Sequence, residues 1–315
     1  MTKTITFENV YPFQDLPVLV AHHEGLFKDE GVDVEFIGGS GSSSIKTDRN
    51  ITSPDQVSSL IGHGSRSETK KAVMYNACEW GNYRRTQDTG VGAKQIGRRA
   101  SIAYGAIIVP PGSSIVTPQQ LADVTIGLPY YNGTHYLAIQ MLEGFVPRDM
   151  IKTCQAPTGA RGRYHSLMNG ELDATTVVEP YITVAEKAGC GIIVESCYHG
   201  TEVASDDLDM EAYAGFKRAV KKAVERINAN KREYVHYFID YHKDDPVVAA
   251  LTVDDFNLSR IQVIEPQTIP ESELQRTYDW MVSWDMISSS FGVENLVDES
   301  VQRGGVEALG VLSDD

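Results

Sequence analysis

Stretches with the two-residue period of a strand alternate along this chain with stretches that have the period of a helix, and that alternation restricts the fold more than any other feature. ITFENV at 5–10 precedes the apolar-periodic LPVLVAHHEGLF at 16–27, and VDVEFIG at 32–38 follows it, with Gly31 as a helix stop. VTIGLPYY at 124–131, the turn Asn132-Gly133-Thr134, HYLAIQMLEGF at 135–145, IKTCQA at 151–156 and RGRYHSLMNG at 161–170 repeat the order of strand and helix. Such a chain forms α/β layers around a largely parallel sheet. SETKKAVMYNA at 67–77 reads as a further helix, and the GSGSSS stretch after the second strand as a ligand-facing loop.

The apolar strand ASIAYGAIIV at 100–109, entered after Arg98 and Arg99, and the stretch near 195–205 are expected to cross between two lobes. The first lobe is then discontinuous, residues 1–105 with 200–315, and the second spans 106–199, with a cleft between them. Residues 211–229 carry an apolar stripe at 213, 216, 220, 224 and 227 opposite Lys and Arg, which makes a docking helix. The segment 271–287 repeats the pattern with Leu274, Tyr278, Met281 and either Trp280 or Trp284, the tryptophans read as core anchors.

Composition removes several classes of function. With 315 residues and a net charge of -15, the chain can bury two cores but lacks the basic face that nucleic acid or an anionic membrane would need. Its longest apolar stretches, such as AIIVPP at 106–111, are strand-sized, far short of the ~20 residues of a membrane span. Cys78, Cys154, Cys190 and Cys197 have no CxxC spacing, so no zinc site or disulfide scaffold is expected; Cys190 and Cys197 read as thiols, with pairing across a loop as the other choice. The opening MTKTITFENVYPF alternates polar and apolar residues where a signal peptide has an apolar run. The expected location is therefore cytoplasmic, or periplasmic if a leader has been removed.

Three segments, AHHEGLFKDEGVDVEF at 21–36, PGSSIVTPQQLADVTIGLP at 111–129 and LMNGELDATTVVEPYITVAEKAG at 167–189, together resemble the nitrate, sulfonate, taurine and pyrimidine-precursor binding proteins of the type II periplasmic-binding fold. The resemblance implies a two-lobed α/β architecture with a central inter-lobe cleft and two crossovers. It leaves function open, because that fold also carries a hydroxybiphenyl sulfinate desulfinase, a pyrimidine synthase and dihydroxyphthalate-type decarboxylases. YNACEWGNYRR at 75–85 departs from the receptor pattern, and with LPYYN at 128–132 it is similar to loops of the decarboxylase branch.

On this reading Cys78 and Glu79 face the cleft. A thiol beside a carboxylate is a poor nucleophile unless a cation lowers its pKa, which His63 or Arg66 would have to supply; the other reading of Cys78 is a small packed residue. Glu79 in an apolar cleft beside Trp80 suits general acid or base work, or pairs with Arg84 or Arg85. Trp80 offers a flat face to an aromatic or cationic ligand.

Tyr131, Asn132, Gly133 and Thr134 open a helix whose free N–H groups suit a carboxylate, sulfonate or phosphate, and His135 either joins that site or is structural. Arg161 and Arg163 could clamp an anion, one or both otherwise being solvated; Glu179 and Tyr181 lie where the family's second lobe meets its ligand. His22 and His23 point to different faces of a helix and make no metal pair. No nucleotide, phosphate-loop or metalloprotease motif is present, so no cofactor is expected.

The expected function is a cytoplasmic enzyme of decarboxylase, desulfinase or hydrolase type acting on a small anionic substrate, aromatic or aliphatic. The competing expectations are a substrate-binding protein of an ABC transporter, with a permease as partner, and a cytoplasmic ligand sensor.

Overall fold

β1 (Lys3–Glu8) lies between β2 (Val32–Ile37) and β3 (Met74–Cys78), all three parallel. The structure is a computed structural model that describes residues 3–8, 10–38, 50–58, 71–90, 94–290 and 292–296. β5 (Thr125–Leu128) lies likewise between β6 (Lys152–Gln155) and β7 (Ala174–Val177), again parallel. β4 (Lys94–Val109) and β8 (Gly191–Ala204) pair antiparallel along their length and join the two sets in the order β2-β1-β3-β8-β4-β7-β5-β6, and β9 (Gln262–Val263) adds to β4.

The register determines where loops meet. β3 runs from Met74, opposite Ala204, to Cys78, opposite Gly200, so its C-terminal end points at the middle of β8. β7 runs from the Ile108 end of β4 towards Ala106, so its C-terminal end points at the middle of β4. Both parallel sets therefore deliver their C-terminal loops to one seam, where ligands of open α/β sheets bind. In β4 the pairing jumps there from Arg98 opposite Thr201 to Ile102 opposite His199, so that Arg99, Ala100 and Ser101 bulge. Such a bulge re-aims side chains.

The helices are α1 (Pro12–His23), α2 (Leu26–Asp29), α3 (Glu79–Thr89), α4 (Gly133–Glu143), α5 (Ala160–Met168), α6 (Tyr181–Lys187), α7 (Met210–Ala229), the short α8 (Lys231–Tyr234), α9 (His236–Tyr241) and α10 (Pro246–Ala249), and α11 (Glu271–Ser283). The segment 16–27 is broken at Gly25, with φ +75°, and Gly31 at φ +73° ends the turn after α2. α7 buries Tyr213, Phe216, Val220, Val224 and Ile227, the stripe read from its sequence. Each such side chain stabilises the fold by roughly 1.5–3 kcal/mol. The Asp209 carboxylate caps the helix by accepting from Ala212 N–H at 2.9 Å.

Strand alternation divides the apolar core by sheet face, not by lobe. Ile96, Ala100, Ala106 and Ile108 of β4 join α1 and α7 in one cluster, whereas Ala103, Ile107 and Val109 join α3, α4 and α11 in the other. The first cluster runs beneath both parallel sets, whereas the second lies beneath β5 and β7, and Tyr75 and Ala77 of β3 form a small third cluster with Val203 of β8.

Two expectations are corrected. Met74 to Ala77, the end of the 67–77 segment read as a helix, belong to the strand Met74–Cys78 between β1 and β8, and they are buried on both faces, which erases the alternation that marks a strand. The stretch from Tyr75 to Tyr83, whose resemblance implies a loop, is the end of that strand followed by the first half of α3. The GSGSSS stretch lies outside the described residues, as do His63 and Arg66. No helix of the described residues is long and apolar enough to cross a membrane.

Candidate functional site

Arg99, on the bulge of β4, is fully buried and occupies the centre of the seam. Its Nε donates to the Ser101 carbonyl at 3.0 Å, and Nη1 donates to the Gln14 side-chain oxygen and the Ala77 carbonyl, each at 3.3 Å. Nη2 meets no hydrogen-bond partner among the described residues. The guanidinium crosses Gly200 so closely that a Cβ there would lie 2.3 Å from its Cζ and 2.5 Å from Ala77 O. A glycine inside a strand is what permits this approach.

Arg163, on α5, is 2% exposed. It donates to Thr176 O at 2.6 Å, Pro157 O at 2.9 Å and Thr158 O at 2.6 Å, and more weakly to Thr134 Oγ at 3.4 Å. Burial pushes its pKa down to about 9. Neither arginine has a carboxylate within 4.0 Å among the described residues. Tyr198 lies between them: the Arg99 Cζ is 5.5 Å from its ring, and both guanidinium charges act on its phenol, which burial nevertheless raises to about 12.

The start of α4 closes this cluster. Tyr131 takes the left-handed region, φ +63°, and Asn132 is extended at the N-cap position with no side-chain bond to the helix. A Cβ on Gly133 would lie 2.4 Å from the Tyr198 hydroxyl and 3.1 Å from the Cys78 Cβ. The first turns of α3 and α4 therefore meet across the seam. Helix N-termini favour negative charge there. Further buried polar atoms without partners among the described residues, Gln14 Nε2, Trp80 Nε1 and Ser101 Oγ, belong to residues of the same seam or its flank.

The sequence-predicted residues separate into three groups. Cys78, Gly133, Thr134 and Arg163 come together in the seam, with Tyr131 and Asn132 beside them. Cys78 accepts from Gly81 N–H at 3.3 Å as the cap of α3, and enclosure pushes its thiol up to about 11. Trp80 packs in an aromatic cluster, its ring 5.1 Å from Tyr198, 5.8 Å from Tyr136 and 6.3 Å from Trp280.

A second group is buried but turned away. Glu79 accepts from the Tyr83 hydroxyl at 3.2 Å and faces Thr277 of α11; burial raises it to about 7. His135 Nδ1 accepts from Tyr131 N–H at 3.2 Å, and burial lowers its pKa to about 3, so it is a neutral structural ring. Tyr181 is fully buried and donates to Asp245 at 2.8 Å.

The third group is committed to ion pairs elsewhere. Glu179, raised to about 6 by burial, pairs with Arg260 at 3.4 Å and accepts from the Thr183 hydroxyl at 2.9 Å. Arg161 is half-buried and pairs with Asp244 and Asp245, so it forms no clamp with Arg163. Their side chains leave α5 in different directions because residues two apart on a helix do not share a face.

Arg99 and Tyr198 were not singled out from the sequence. The available signal was a charged Arg98-Arg99 doublet at the entrance to an otherwise apolar strand. Among the described residues no group of three His, Cys, Asp or Glu is arranged to hold a metal ion. Cys190 precedes β8 and Cys197 lies well along it, both as free thiols.

No protein-family profile matches the chain, and no curated protein matches it. Solved structures do. The alkanesulfonate-binding protein SsuA from Xanthomonas axonopodis pv. citri, bound to MOPS, aligns over 94% of this chain and 97% of its own with 12% identity and a TM-score of 0.67. The periplasmic nitrate-binding protein NrtA from Synechocystis PCC 6803 aligns over 98% and 90% with 13% identity and a TM-score of 0.65. A mutant of the desulfurization enzyme DSZB in complex with biphenyl-2-sulfinic acid aligns over 98% and 99% with 12% identity and a TM-score of 0.63. The chain thus has the type II periplasmic-binding-protein-like fold, shared by the binding proteins and the enzyme that its sequence resembles.

Proposed function

We propose that this protein is a binding protein for a small anion, held at the seam by Arg99 and Arg163 beside the first turn of α4. The observation that carries this reading is the pair of buried guanidinium groups with only neutral oxygens as partners among the described residues. A buried charge is costly unless it is paired, and an incoming sulfonate, carboxylate or nitrate would supply the counter-charge. Neighbours of the same fold that bind alkanesulfonate or nitrate support this class of ligand, and delivery to a membrane permease is the role that follows.

The binding reading is preferred to the catalytic one because the described titratable groups are not set up for chemistry. Cys78 stays a thiol at neutral pH, His135 is neutral and bonded to backbone, and Glu79 faces α11. The test is calorimetry and thermal shift with 1-butanesulfonate, benzoate and nitrate, using wild type and the Arg99→Met and Arg163→Met variants. At least one anion should raise the melting temperature, and each variant should lose about a hundredfold in affinity or more. Unaltered affinity in both variants, or no binding by any anion, would overturn the reading. Turnover of an aryl sulfinate or carboxylate that disappears in Glu79→Gln or Cys78→Ala would replace it with an enzyme.

A further inference from the structure

Asp15 is fully buried within α1, at a residue whose φ of -127° breaks the helical geometry and turns its carboxylate inwards. One oxygen accepts from Tyr11 N–H at 2.7 Å and the other from the Asn76 amide at 2.8 Å. Both neighbours of this arrangement also touch Arg99: Gln14, next to Asp15, accepts from the guanidinium, and so does the carbonyl of Ala77, next to Asn76. Asp15 consequently acts electrostatically on Arg99 through neutral groups, without a direct ion pair. The other titratable groups facing Asp15 among the described residues are Tyr11, on which Glu8 also acts, and Tyr241 of α9.

Resting on the anion-binding reading, we propose that Asp15 couples that binding to proton uptake. Asp15 and a bound anion compete for one guanidinium. When an anion arrives at Arg99, the Asp15 carboxylate loses its counter-charge in a buried setting and takes a proton from solvent to become the neutral acid. Without anion, burial already raises this carboxyl to about 7 against an ordinary value near 4, so a second negative charge nearby moves it higher. Neutral Asp15 needs an acceptor for its proton, which a flip of the Asn76 amide supplies because its Oδ1 has no partner among the described residues, while Oδ2 keeps the Tyr11 N–H.

The sign follows from linkage. Below pH 6 Asp15 is already protonated and anion binding takes up little; above pH 7 binding takes up a proton, and affinity falls as pH rises. The experiment is calorimetry with 1-butanesulfonate, whose sulfonate does not titrate in this range, in two buffers of different ionisation enthalpy. Wild type should take up close to one proton per anion at pH 8 and nearly none at pH 5.5, with affinity falling up to about tenfold per pH unit above 7.

Asp15→Asn should bind with an affinity nearly constant up to pH 8 and take up no more than about a tenth of a proton there, the remainder left by Arg163, whose own value of about 9 lies just above. Buffer-independent heat from wild type at pH 8 would overturn the coupling while leaving the anion site intact, and this measurement stands even if Asp15→Asn fails to fold. Uptake that stays close to one proton in a folded Asp15→Asn would assign the proton elsewhere and also overturn it. Absence of heat with any anion that also fails to raise the melting temperature would sink both proposals together.

Discussion

Arg260 and Arg99 are both arginines withdrawn from solvent, yet their surroundings are opposite. Arg260 meets three carboxylates, donating to Glu186 at 2.6 and 2.9 Å, to Glu195 at 2.9 Å and to Glu179 at 3.4 Å. It joins β9 and its flanking turn to α6 and β8, and its charge is more than balanced within the protein. Arg99 meets only amide and carbonyl oxygens, and one nitrogen meets no partner among the described residues. Burial alone therefore does not mark a functional cation. What distinguishes the two is whether the fold supplies the opposite charge in direct contact, as it also does for Lys217, held by Glu202 at 2.6 Å.

The sharpest way to break this comparison is to remove each charge. Arg260→Met leaves three acids facing one another and should lower unfolding free energy by about 3–5 kcal/mol, read by urea denaturation, with anion affinity retained in the folded protein. Arg99→Met should do the reverse, costing little stability or even adding some while abolishing anion binding. If both variants lose the same stability, the distinction between a structural and a waiting arginine fails.

A smaller effect is expected at Gly200, which carries Arg99 across its face. Gly200→Ala pushes a methyl into both the guanidinium and the Ala77 carbonyl, and relief by side-chain rotation alone is blocked by that backbone atom. The expected cost is about 1–3 kcal/mol of stability with a parallel loss of anion affinity. Normal affinity in this variant would show that Arg99 does not need its observed path.

The smallest effect concerns pH. Asp15, Glu79 and Glu179 have folded values of about 7, 7 and 6, above the ~4 of unfolded carboxyls, so their contribution is complete below pH 4 and is lost as pH rises through 6 and 7. His135, at about 3 when folded, acts oppositely: its contribution is present above pH 6.5 and lost as pH falls. Glu79→Gln removes one of the three carboxyls. Its melting temperature relative to wild type should therefore climb between pH 6 and 7, by an amount worth about 1 kcal/mol. A constant difference across that range would show that Glu79 does not ionise there.

Much of the fold was legible because its signals are local. The α7 stripe and the turn before α4 are visible in periodicity and in Asn132-Gly133-Thr134, and both are where the sequence placed them. Met74–Cys78 was misread because a strand buried on both faces has no alternation to show. In the proposed site, Thr134 and Arg163 are residues the sequence singles out, whereas Arg99, Tyr198 and Asp15 are not. None of those three stands in a spacing that marks a site in the sequence; a tertiary register shift and a helix kink bring them together. Conversely, Tyr181 and His135 have the right chemistry and the wrong direction, which only packing decides.

The bulge at Arg99, Ala100 and Ser101 has a consequence for how this protein could change over generations. The same three residues interrupt the ladder that joins the two strand sets and present the proposed anchor for the ligand. A lineage exploring new ligands through them would also alter how the two sets are coupled, so viable variants there should be few. Residues such as Tyr131 and Asn132, on a turn outside the ladder, are free of that double duty, and new specificities should arise first along that rim.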